Sequence, residues 1–113
     1  MHEMSLAENV LQIVEETARR EGAQRVNTVI LEIGRLSAVE PEALRFCFEA
    51  VARDSLAAHA VLQIVEVPGS AWCLDCATTV PVEERYATCP RCHGHALQLT
   101  AGTDMRVREI EIE

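Results

Sequence analysis

The sequence predicts an α+β protein in which two helices lie on a small three-stranded sheet and a zinc-ribbon-like four-cysteine module is inserted before the last strand. Three observations carry this expectation. Two segments, Ser5 to Glu21 and Pro41 to about Ser55, repeat apolar residues at helical spacing behind a helix-start signal. Three others, Arg25 to Ile33, Ala60 to Val67 and Met105 to Ile112, are short runs rich in β-branched residues. Between the last two of these lie four cysteines in two Cys-x-x-Cys pairs. The expected domains are residues 1–69 together with 101–113, and residues 70–100.

The first helix is expected to open on a capping box, Ser5-Leu-Ala-Glu8, whose hydroxyl and carboxylate serve the unpaired amides of a helix start. Leu6, Val10, Ile13, Val14 and Thr17 supply its apolar face, Arg19 and Arg20 suit the negative end of the dipole, and Gly22 suits a C-cap. In the strand that follows, Val29, Leu31 and Ile33 share one face and Val26, Thr28 and Ile30 the other, so both faces should be covered. Gly34 and Ser37 mark a turn. Pro41 fits the first position of the second helix, where Leu44, Cys47, Phe48 and Val51 form the stripe. Cys47 has no cysteine near it in sequence and reads as a small buried hydrophobe. Pro68-Gly69 stops the second strand. The last strand changes phase at Glu109, which calls for a bulge or for partial burial of both faces, and it should return to the first sheet.

The pairs Cys73-Leu-Asp-Cys76 and Cys89-Pro-Arg-Cys92 are separated by the twelve residues Ala77 to Thr88. A two-residue gap turns both sulfurs of a pair the same way, and the intervening stretch is long enough to fold back and complete a tetrahedron. Some thirty residues with little beyond Trp72, Val80, Val82, Tyr86 and Leu97 to pack need a metal to hold them. Zinc is preferred over a rubredoxin-like iron because an aromatic core is missing. Four thiolates saturate the ion and leave no place for a catalytic water. His93 and His95 follow the last cysteine and read as surface histidines, with exchange for a thiolate as the sharper alternative. An odd count of five cysteines argues against a disulfide framework.

Ten basic against eighteen acidic residues leave a formal charge of −8, which disfavours nucleic acid as a partner. No apolar run approaches the ~20 residues of a membrane span, and no basic-then-apolar leader precedes the first helix, so a cytoplasmic protein is expected.

At the other end, Met1-His2-Glu3 places an amine and an imidazole one residue apart. The amine, the deprotonated His2 amide and the His2 ring nitrogen can form two fused chelate rings. Three nitrogens in a plane match the tetragonal preference of Ni(II) or Cu(II). Glu3 can add an oxygen or orient the imidazole. Open coordination positions suit a carrier that hands its ion on.

Met1-His2-Glu3, the following Met4-Ser5-Leu-Ala, the stretch Leu31-Glu-Ile-Gly34-Arg-Leu-Ser37 and the two cysteine knuckles together resemble the HypA/HybF family of hydrogenase nickel-incorporation proteins, over essentially the whole chain. The resemblance implies a nickel metallochaperone for [NiFe]-hydrogenase maturation, delivering Ni(II) to the large subunit and acting with the GTPase HypB. It implies His2 as principal nickel ligand with Met1 and Glu3 beside it, and structural zinc on Cys73, Cys76, Cys89 and Cys92. It also implies a mixed α/β nickel-binding domain next to a zinc domain; a homodimer and service to urease are compatible with it. Where the family often has Gly-Ser after the last cysteine, this chain has His93-Gly94-His95. The rival readings are a zinc-ribbon interaction or nucleic-acid module without nickel transfer, a redox role for the cysteines, and an enzyme. The last finds no phosphate loop, no nucleophile with its base and no open zinc site.

Overall fold

The computed structural model describes residues 2–113. Met1 lies outside the described residues. The elements run α1 (His2–Arg20), β1 (Val26–Gly34), α2 (Pro41–Val51), β2 (Val61–Val67), β3 (Ser70–Cys73), β4 (Thr78–Pro81), β5 (Leu97–Ala101) and β6 (Met105–Ile112). They form two three-stranded sheets, ordered β2-β1-β6 and β4-β3-β5. The last strand therefore does return to the first sheet, and the cysteine module is an excursion between two of its strands.

Two compact units result. One contains residues 1–31, 39–65 and 106–113; the other contains 32–38 and 66–105.

In the first unit α1 begins at His2, three residues before the expected capping box, so Ser5 lies inside the helix and caps nothing. Nothing in His2-Glu3-Met4 opposes helix, and the Glu3 carboxylate finds a partner elsewhere, described below. The buried stripe is Ala7, Val10, Val14 and Ala18, whereas Ile13, expected on it, is 48% exposed. Spacings of three, four and four keep these residues in one row, and the alanines at either end let α2 approach closely. Gly22 takes a left-handed conformation (φ 69°), and Ala23 N–H donates back to Ala18 O at 2.9 Å, closing the helix as predicted. On β1, Val29, Leu31 and Ile33 are buried on one face and Val26 and Thr28 on the other, so both faces are covered.

Pro41 sits in the first turn of α2 behind Glu40, the N-cap, whose side chain accepts from Glu42 N–H. The helix stops at Val51, before the expected Ser55, and Leu44, Cys47 and Phe48 are its buried residues. Cys47 is thus a core hydrophobe. On β6, Met105, Val107 and Ile110 are partly buried, which accounts for the phase change: each face carries some cover.

The second unit is built on β3. It pairs antiparallel with β4 (Cys73 opposite Thr78) and with β5 (Cys73 opposite Leu97). Its core is Leu36, Ala71, Cys73, Val80, Val82 and Cys89, with Leu97 and Leu99 packed against it. Two expected members are elsewhere: Trp72 is 38% exposed and Tyr86 94%. Period-two alternation explains Trp72, because Ala71 and Cys73 face inward and turn it out. Leu36, contributed by the turn after β1, fills the core instead. Its N–H donates to Gly102 O at 2.7 Å and its carbonyl accepts from Arg85 Nε at 2.7 Å.

Candidate metal centres

The four paired cysteines meet. Their sulfurs all lie within 4.8 Å of one another, and this is the only such group of potential ligands among the described residues. Cys73 Sγ stands 3.7 Å from Cys92 Sγ, and Cys76 Sγ 4.0 Å from Cys89 Sγ. A tetrahedral ion with bonds of ~2.3 Å requires sulfurs about 3.8 Å apart, whereas a disulfide would bring two to about 2.05 Å. The donor set and its spacing therefore suit zinc.

Both halves of the group are built alike. Cys76 N–H donates to Cys73 Sγ and Arg91 N–H to Cys89 Sγ, each at 3.4 Å. The residue after each second cysteine closes its turn, Ala77 N–H to Cys73 O and His93 N–H to Cys89 O, each at 2.8 Å. Those two residues are left-handed, with φ 52° at Ala77 and 63° at His93. His93 thus occupies a backbone position that favours glycine. His93 and His95 are exposed, and neither belongs to the sulfur group.

The cluster's ionisation explains why it calls for a cation. The Cys92 side chain hydrogen-bonded to Cys76, together with burial, pushes the Cys76 thiol up to about 12. Cys89 is brought down to about 7, chiefly by the Cys92 N–H, with the Arg91 N–H adding to it. Four thiolates this close do not coexist without positive charge among them. A zinc ion would supply that charge and hold β3, β4 and the Cys89–Cys92 turn together.

The second candidate centre lies at the start of α1. His2 is exposed in the first turn. Amides in the first turn of a helix have no carbonyl four residues behind them, so the His2 and Glu3 nitrogens are not engaged by the helix. The Glu3 carboxylate accepts from Glu40 N–H at 3.3 Å, and this bond is the main reason Glu3 is held below the usual carboxylate range. Sequence reasoning misses Glu40. Its only signal there is that it precedes Pro41 at a helix start.

Comparison with known proteins identifies the family. A family model described as hydrogenase/urease nickel incorporation, metallochaperone, HypA, matches residues 1–112. The hydrogenase maturation factor HypA of Dechloromonas aromatica (strain RCB) is 65% identical over 113 residues, covering 100% of both chains. That of Albidiferax ferrireducens is 58% identical over the same span, again 100% of both. Among solved structures, the Ni metallochaperone HypA from Helicobacter pylori superposes with a TM-score of 0.72 at 28% identity, over 97% of this chain and 96% of that one. A second HypA solution structure gives 0.75 at 30% identity, over 100% and 97%. On full-length agreement of sequence and fold, the chain belongs to the HypA family of hydrogenase/urease nickel-incorporation metallochaperones.

Proposed function

We propose that this protein carries Ni(II) at its amino terminus and hands it to the large subunit of [NiFe]-hydrogenase during maturation, in concert with the GTPase HypB. The carrying observation is the exposed His2 in the first turn of α1, in a chain that belongs to a nickel-incorporation family. The Met1 amine, the His2 amide and the His2 imidazole would give the planar nitrogen set that Ni(II) prefers, with Glu3 alongside. Only part of the coordination sphere is filled this way, so a recipient's ligands can enter before the donor's leave. Cys73, Cys76, Cys89 and Cys92 hold a resident zinc in this reading. It stabilises the second unit and takes no part in transfer, since all four positions are protein sulfur. The nickel-binding role falls to the unit containing α1 and α2, the zinc-binding role to the unit containing β3–β5. The charge of −8 makes nucleic acid a poor partner for either.

The test is a calorimetric Ni(II) titration of zinc-loaded protein with an unmodified start. His2→Ala, and a version with residues added ahead of Met1, should each lose the tight site while retaining one zinc. Equal nickel binding by all three proteins would end the proposal.

A further inference from the structure

Chemistry at the chain start lets Glu3 serve the metal directly, by adding an oxygen or by orienting the imidazole. Its place in the fold points to a different task. The N-cap of α2 is unusual in its wiring. Glu40 gives its own carboxylate to Glu42 N–H at 3.3 Å, as an N-cap side chain does. In a capping box, the reciprocal bond to the N-cap N–H comes from a Glu or Gln three residues on. Here that residue is Ala43, which has no acceptor. The Glu40 N–H is taken instead by Glu3, thirty-seven residues away on α1. The box is completed between helices, and the carboxylate that completes it belongs to the residue next to His2.

From this wiring we infer that Glu3 is a positioning residue for the proposed nickel site, acting through the Glu40 amide and not as a nickel ligand. This rests on the reading that His2 binds Ni(II). The physical reason is preorganisation. The first residues of a chain fray unless tied down, and ordering them costs conformational entropy. A bond at Glu3 fixes the turn immediately after His2. Less of the chain start is then left for nickel to order. The same bond turns one oxygen of the Glu3 carboxylate toward α2. Because the donor is a backbone N–H, any acceptor of glutamate length should serve at position 3, with or without a charge.

That last point separates positioning from ligation. Four zinc-loaded variants with native starts would be compared by competition titration with Ni(II) and by the ligand-field absorption of the nickel complex. Glu3→Gln keeps an acceptor of the right reach and is expected to bind within about twofold of the parent, with an unchanged spectrum. Glu3→Ala loses the bond and should bind about fivefold to tenfold more weakly, the ratio expected for the loss of one ordinary hydrogen bond. Glu40→Ala keeps the N–H and should resemble the parent. Glu40→Pro removes the N–H at a residue whose φ of −86° lies near proline's range, and should resemble Glu3→Ala. The inference is overturned if Glu3→Gln weakens binding or shifts the spectrum as Glu3→Ala does, or if Glu40→Pro binds like the parent. His2→Ala separates this outcome from failure of the underlying reading: if it too binds nickel normally, the site itself is elsewhere.

Discussion

Gly34→Ala should damage the second unit far more than a one-carbon change suggests. A Cβ on Gly34 would stand 2.2 Å from Gly102 O, 2.3 Å from Gly102 C and 2.9 Å from Thr103 N. All three are backbone atoms, so no side-chain rotation relieves the overlap. To restore an ordinary contact of about 3.5 Å, the Gly102–Thr103 segment must retreat by roughly 1.3 Å. That retreat opens two bonds between the same segments: Gly34 N–H to Asp104 O at 2.8 Å and Leu36 N–H to Gly102 O at 2.7 Å. Gly34, Leu36 and Gly102 are all buried, so the freed groups have no ready access to water. Each of the three buried groups so freed, Gly34 N–H, Leu36 N–H and Gly102 O, costs about 1–3 kcal/mol, which places the loss at roughly 3–9 kcal/mol. The assay is urea unfolding of zinc-saturated protein followed by the fluorescence of Trp72, the single tryptophan, which lies on β3. Gly22→Ala is the comparison: its Cβ meets nothing within 4 Å, and only the φ of 69° is at stake. Left-handed strain there costs about 1–2 kcal/mol. A Gly34→Ala protein no less stable than Gly22→Ala would refute the close-approach argument.

Other outcomes follow from the same geometry. Chelating the zinc should unfold the β3–β5 unit, changing Trp72 emission while leaving far-ultraviolet helical ellipticity largely intact, because both α1 and α2 belong to the other unit; simultaneous loss of both signals would contradict it. His93→Gly should stabilise the zinc-bound form by about 1 kcal/mol, by relieving a left-handed residue, without changing metal content. A drop in bound zinc would instead make His93 a ligand. Zinc affinity of the metal-free protein should rise with pH, because the Cys76 proton, held to about 12, must leave for the metal to enter. Below about 7 Cys89 also takes up a proton, so the affinity should fall more steeply there, as a chromophoric competitor at pH 6, 7 and 8 would show. Cys47→Ser places a hydroxyl in the α2 core and should cost about 1–3 kcal/mol with zinc and nickel stoichiometry unchanged.

What could be read from the chain alone was whatever depends on short spacings. Two residues between cysteines orient a sulfur pair, a row of apolar residues at three and four marks a helix face, and a proline marks a helix start. Each is a local matter of backbone geometry, and the cysteine quartet, α2 and β1 were legible for that reason. The amine-imidazole pair at Met1-His2 was legible as chemistry, through the fused rings it can form around an ion. Tertiary structure decided where local rules compete. Ser5-Leu-Ala-Glu8 has a capping pattern, yet helix continues through it to His2, where Glu3 reaches the Glu40 amide. Leu36 lies in what reads as a turn, yet it enters the core that Trp72 and Tyr86 were expected to fill. Partners thirty-seven and forty-nine residues apart, Glu3 with Glu40 and Leu36 with Arg85, have no periodicity to announce them. They form because folding brings an unpaired backbone donor or acceptor within reach of a side chain, and only the assembled chain determines which side chain that is.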